Sequence, residues 1–232
     1  MPENRSIPWR RIGAEVVAIV VSILLAFAID AWWDLRGDRQ LEQEYLVALE
    51  AEVHTAISEL ENDLEQREML RAMLVSYLTD EQSDRQFFSE MLYRSAIVNN
   101  LSPPTSVIDE LISSGQLQLI RSAQIREGLV LYRQMMQKND LNDEGHRTFV
   151  NTRFIPFLSE RIPLAGVVPV TRDWQAASQS ISDQDIVELR NDTRFVNILI
   201  ERLQHLDRGL PRLRSTTNHL AELSELFERA LD

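Results

Sequence analysis

Hydrophobic and polar positions divide this chain into two regimes. From Val16 to Ile29 every residue except Ser22 is apolar, whereas beyond Gly37 apolar residues recur at three- and four-residue intervals. The first pattern suits a helix with no wet face, the second a series of helices each with one dry side. Extended to Gly13–Trp33, the apolar run has twenty-one residues. That is roughly 31 Å of helix at about 1.5 Å per residue, just enough to span a bilayer. Trp9 before the run and Trp32 and Trp33 at its close place indoles at both headgroup layers, with Glu15 and Asp30 at the wet ends. The expected organisation is a basic leader over 1–12, a transmembrane helix over 13–33 and a helical extramembrane domain over 34–232.

Past a possible kink at Gly37, Leu41, Tyr45, Leu49, Val53, Ala56, Ile57, Leu60 and Leu64 predict a long amphipathic helix reaching Asp80. Its heptad pattern fails at Asp63 and Arg67, which argues against an unbroken coiled coil. Between Gln40 and Gln66 it carries eight acids and no Lys or Arg, the composition of a solvated face. A second helix is expected over 83–98. A short third one is capped by Thr105 or Ser106 and stopped at Gly115 by a left-handed residue. Ser122 should cap a helix from Ala123 to about Gln137, with Asn139–Gly145 interrupting or bending it before Phe149–Leu158 resumes. Residues 162–173 read as a loop. Asp183 starts the last helical stretch, kinked or divided at Gly209 and Pro211. With no alternating strand pattern, the fold class is all-α: an N-terminal transmembrane helix, a long amphipathic helix and an extramembrane helical bundle.

Arg5, Arg10 and Arg11 precede the apolar run and Arg36 and Arg39 follow it, favouring an inside N-terminus with residues 34–232 on the far side of the membrane. The triplet Ala26-Phe27-Ala28 also fits a signal-peptide cleavage site, but cleavage would discard the anchoring role of Trp32 and Trp33. Ala14, Ala18, Ser22 and Ala26 recur every four residues, a small-residue face on which two membrane helices can pack closely.

The net charge of −12 repels phosphate backbones and argues against nucleic acid as a partner. Without cysteine there are no disulfides, thiolate zinc sites or cysteine nucleophiles. Asp140-Leu141-Asn142-Asp143-Glu144-Gly145 begins like a calcium loop, but Asn151 stands where the bidentate carboxylate belongs. Asp143 with His146, and His219 with Glu222, each share a helix face without making a metal set, and the four histidines read as solvent-exposed polar residues. No nucleophile-elbow, P-loop or dinucleotide-binding pattern occurs, so neither an enzyme nor a cofactor is expected.

The run Leu25-Ala26-Phe27-Ala28-Ile29-Asp30-Ala31-Trp32-Trp33-Asp34, followed by Arg36, Arg39, Glu42, Glu44 and Tyr45-Leu46, resembles a family of bacterial single-span membrane proteins known only as a domain of unknown function. The segment Leu111-Ile112-Ser113-Ser114-Gly115-Gln116-Leu117-Gln118-Leu119-Ile120 is similar too, while Trp33 stands where that family tends to have Asn. The resemblance implies a retained anchor in a bacterial inner membrane, so that the far-side helical domain would be periplasmic, and it implies no activity. The functional expectation is a membrane-anchored protein acting by self-association and by contact with an unknown protein partner. The alternative is an extracytoplasmic sensory or small-ligand-binding bundle, which a buried cavity with convergent polar groups would favour.

Overall fold

A computed structural model describes residues 9–79, 84–97, 103–167 and 179–231, with side chains from Ala18 onward. Helix α1 runs without a break from Trp9 to Thr79, 71 residues or roughly 106 Å at about 1.5 Å per residue. Gly37 lies inside it with open space around its Cα, so the possible kink there is not a break. One helical glycine costs only about 1 kcal/mol, less than the regular turns on either side recover. Residues 18–40 are exposed throughout, and the segment is long and apolar enough to cross a membrane with none of its apolar window buried by protein.

Beyond residue 40 the other helices gather on α1. They are α2 (Arg85–Ala96), α3 (Ser106–Ser113), α4 (Ala123–Phe149), α5 (Ile155–Ser159), α6 (Asp183–Asn191) and α7 (Thr193–Leu231). No strand occurs among the described residues. Helix α7 packs along α1, α4 packs on α7, and α2 and α3 lie against α1. Buried positions on the two longest helices follow a three-and-four spacing, with a few buried neighbours beside it, such as Glu52 next to Val53. On α1 they are Leu46, Leu49, Val53, Ala56, Leu60, Asp63, then Leu70, Leu74 and Tyr77; on α7 they run from Phe195 through Leu199, Arg202, Leu206, Gly209 and Leu213 to Leu220 and Phe227.

Two apolar cores result. The one nearer the exposed apolar segment joins Leu49, Val53 and Leu60 to Leu129, Tyr132, Leu220 and Phe227. The farther one joins Leu74, Tyr77 and Phe88 to Phe154, Phe157, Phe195 and Leu199. Each fully buried Leu or Phe contributes about 1.5–3 kcal/mol, so the two cores stabilise the fold more than any polar contact in it. The Tyr77 and Phe88 ring centroids are 5.4 Å apart and those of Phe157 and Phe195 6.0 Å.

Local signals in the sequence fix several helix ends. Ser122 caps α4 by accepting from the Ile125 amide, and Ser182 and Asp185 form a reciprocal capping box at α6. Gly115 adopts φ 73° beyond α3, the left-handed conformation that favours glycine. The hydroxyl of Thr105 does not cap α3. Glu52 on α1 does so instead, accepting from the Val107 amide at 2.8 Å, the Ile108 amide at 3.3 Å and the Ser106 hydroxyl at 2.9 Å.

Two expected interruptions fall elsewhere. Residues 139–145 remain helical, because Asn139 and Asp143 have buried partners on other helices and behave as core positions, not as a solvated break. Continuity ends at Val150–Phe154, a π turn in which the Ile155 amide bonds the Val150 carbonyl five residues back. Pro156, which has no N–H to donate, follows that turn at the start of α5, and the Asn151 and Thr152 carbonyls left behind it belong to exposed residues. Near the C-terminus the break comes at Asp192, whose carboxylate accepts from the Arg194 and Phe195 amides and starts α7 afresh. Gly209 and Pro211 then lie within one continuous helix.

Candidate functional site

Between the two apolar cores, the buried stripes of all three long helices turn polar at the same level. Helix α1 contributes Asp63 and Arg67, α4 contributes Asn139, Asp143 and His146, and α7 contributes Arg202. The spacing does not change: Ile125, Leu129, Tyr132, Met136, Asn139, Asp143, His146 and Phe149 are one uninterrupted three-and-four series. These side chains therefore point inward for the same reason as the leucines around them.

Arg67 is the organising group. Its Nη1 and Nη2 donate to the two oxygens of Asp143 at 2.9 and 3.0 Å, and its Nε lies 2.6 Å from Asp63 Oδ2. Burial works against the Arg67 charge, but the bonds and charges of Asp143 and Asp63 outweigh it and raise its pKa. Gly209 allows this close approach, since a Cβ there would stand 3.1 Å from Asn142 Nδ2 and 3.5 Å from Arg67 Nη1. Asn139 bonds Thr216 at 3.2 Å on the side of the nearer core.

Arg202 is different. It is 5% exposed, yet among the described residues its guanidinium has neither a hydrogen bond nor a carboxylate within 4 Å, and its Nε is fully enclosed. Burial, reinforced by the Arg67 charge, lowers its pKa to about 9 against the pull of Asp143 and Asp63. Burying a charge without partners costs several kcal/mol in a protein interior. Asp63 and Asp143 balance Arg67 and Arg202 in charge, but among the described residues both pair with Arg67 and neither hydrogen-bonds Arg202.

Arg202 lines a cavity of about 480 Å³, walled also by Asp63, Gln66, Arg67, Arg94 and His146, with Leu70, Ile97 and Leu206 as its apolar side. Arg94 reaches it from α2 and is held by Glu90 and by Gln66 Oε1 at 2.6 Å. His146 is buried, its Nε2 set 3.4 Å from the Ile97 carbonyl and its Nδ1 enclosed without a partner. Burial first, and then the charge of Arg202, lower its pKa to about 3, so the ring is neutral at physiological pH. His205, ring centroid 6.1 Å away, is also pushed down by burial and by Arg208.

The expectation of four solvent-exposed histidines holds for His54 alone. His146 is buried, and His205 and His219 are half-buried, His219 Nε2 donating to the Gly128 carbonyl at 2.8 Å. Asp143 and His146 share a face as expected but serve different partners, while Glu222 is exposed and the His219 ring bonds the Gly128 carbonyl. The Asp140–Gly145 stretch is helical, so its oxygens are spread around an axis and form no loop. Among the described residues no group of His, Cys, Asp and Glu could hold a metal ion. The acidic run of α1 is only partly a solvated face, since Glu52 and Asp63 are buried.

On the apolar segment, Ala18, Ser22 and Ala26 are exposed, and the Ser22 hydroxyl donates back to the Ala18 carbonyl at 2.8 Å. Trp32 and Trp33 are exposed and meet edge to face at 5.3 Å, with the Arg36 guanidinium 5.6 Å over the Trp32 ring. The side chains of Trp9 and Ala14 lie outside the described residues. Nothing in the apolar segment foretold the polar layer. The signal was the unbroken three-and-four spacing through Asp63, Asp143 and Arg202. Comparison with family models, curated proteins and solved structures finds no match to this chain.

Proposed function

We propose that the protein is a single-span, membrane-anchored helical bundle whose extramembrane part binds a small molecule in the polar layer and works through a partner protein. One observation carries this reading: α1 is a single helix that contains both the unburied apolar segment and the cavity wall at Asp63, Gln66 and Arg67. From Trp33 to Asp63 is roughly 45 Å at about 1.5 Å per residue, so ligand contacts and anchor are joined by uninterrupted backbone. The cavity is of a size that natural small-molecule sites use, and it combines apolar walls with a few convergent polar groups. A resident small molecule also accounts for a buried guanidinium that the protein itself leaves without acceptors.

Native mass spectrometry of the full chain, extracted from its own membranes in mild detergent, tests the reading. The expected result is a protein mass raised by one small molecule, released on mild activation. A bare polypeptide mass in every preparation would count against ligand binding. Placing Arg at Leu24 should shift the chain from the membrane to the soluble or degraded fraction, because a charge at a span centre costs about 3 kcal/mol or more.

Self-association through the span is a second reading, favoured by the exposed row Ala18, Ser22 and Ala26. The Ser22 hydroxyl is already satisfied within its helix, so contact there rests on close backbone packing, not on interhelical hydrogen bonds. Ala18→Leu with Ser22→Leu should weaken a membrane two-hybrid signal, and an undiminished signal would dispose of the seam.

A further inference from the structure

Within the ligand-binding reading just proposed, on which this inference rests, the chemistry of the cavity narrows the ligand. Three arginines reach it, and they are not equivalent. Arg67 has its two outer nitrogens and its Nε committed to Asp143 and Asp63. Arg94 is occupied by Glu90 and Gln66. Arg202, 5% exposed and on the cavity wall, has none of its donors engaged among the described residues.

A guanidinium is a planar fork of N–H donors that cannot lose its proton near neutral pH, and the group that matches it is a planar pair of oxygens. Leu70, Ile97 and Leu206 also line the cavity, and no charged ligand part could face them without loss. Asp63 and Asp143 are engaged with Arg67 and, among the described residues, make no hydrogen bond or ion pair with Arg202. The neighbouring imidazoles carry no charge that would compete for the ligand, His146 being neutral in the folded protein.

We infer that the cavity is a site for a small organic monocarboxylate, its carboxylate paired with Arg202 and its apolar part lying against Leu70, Ile97 and Leu206. An ionised carboxylate supplies acceptors to both sides of the fork and offsets the charge that burial disfavours. A tetrahedral oxyanion offers the same charge without an apolar part, and a neutral amide offers one acceptor without the charge.

The test is thermal unfolding and calorimetric titration of the detergent-solubilised full chain with sodium benzoate, benzamide and sodium sulfate as probes. Benzoate should bind and raise Tm, with benzamide and sulfate at least tenfold weaker. Arg202→Lys keeps the charge and removes the fork, so it should weaken benzoate at least tenfold; Arg202→Met should abolish the response. If Arg202→Met does not fold, Arg202→Lys alone decides the matter. Equal benzoate affinity in wild type and Arg202→Lys overturns the inference, as does sulfate or benzamide binding as well as benzoate, or no benzoate response at all. A neutral molecule retained in native mass spectrometry would overturn the carboxylate while leaving ligand binding in place; a bare polypeptide mass would remove both.

Discussion

Arg67 on α1 closes a two-pronged hydrogen bond with Asp143 on α4, at 2.9 and 3.0 Å, and does so between two apolar cores rather than at the surface. Breaking one side of a buried pair strands the other charge, which typically costs about 3–5 kcal/mol. Asp143→Leu and Arg67→Met should each lower urea stability by about that amount. The double variant should recover only the part owed to Asp143, because Asp63 stays buried without its cation. Additive losses in the double-mutant cycle would show that the two residues act independently.

Acid should destabilise this fold through His146. Its folded pKa is about 3 against an ordinary value of 6.5, so the unfolded chain takes up a proton that the folded chain refuses. The neutral ring's contribution is intact above pH 6.5 and falls as pH drops from 6.5 towards 3, by at most about 1.4 kcal/mol per pH unit. The groups facing the ring include Arg202, His205 and Arg67, all of which oppose its protonation. His146→Phe should flatten the stability profile between pH 6.5 and 4, and an unchanged slope would place the acid sensitivity elsewhere.

Two glycines of α4 should respond to the same substitution with opposite signs. A Cβ at Gly128 would come 2.9 Å from Leu223 Cδ1, whereas at Gly145 it would meet nothing within 4 Å. Gly128→Ala should cost about 1–3 kcal/mol by forcing α4 away from α7. Gly145→Ala should stabilise by up to about 1 kcal/mol through helix propensity. Thermal melts of the two variants, read side by side, check both.

Glu52 should matter more than its place in an acidic run suggests. Glu52→Ala removes the acceptors for the first amides of α3 and should cost about 1–2 kcal/mol. Thr105→Val, at the residue preceding the helix, leaves those amides capped and should cost less. Hydrogen exchange at Val107 and Ile108 reports on it directly, with faster exchange expected only in the Glu52 variant.

Features legible in the sequence share one property: their cause is local. Gly115, Ser122 and the helix start at Asp183 are recognised from residues within three or four positions, and the structure uses each as read. The polar layer was misread because its partners are distant. Arg67 and Asp143 are 76 positions apart, and apart from each other Asp63 looks like a heptad fault and Asn139–Gly145 like a helix break. Phase is a better guide than polarity here, since both groups keep the three-and-four rhythm of their neighbours. The cap on α3 escaped for the same reason, its acceptor lying 54 to 56 positions upstream. Arg202 could be placed on the inner face by spacing, but that it finds no acceptor there is a fact of three dimensions.

Because α1 has no hinge between Trp33 and Asp63, the two ends of the molecule share one rotational phase. At about 3.6 residues per turn, a single residue inserted among positions 34–40 would swing the cavity by roughly 100° about the axis while advancing it only about 1.5 Å. Seven inserted residues would bring it back to within about 20° of its original bearing. The exposed stretch between Trp33 and Leu41 thus acts as a shaft whose length matters less than its angle, and any protein that engages both ends is held to that angle.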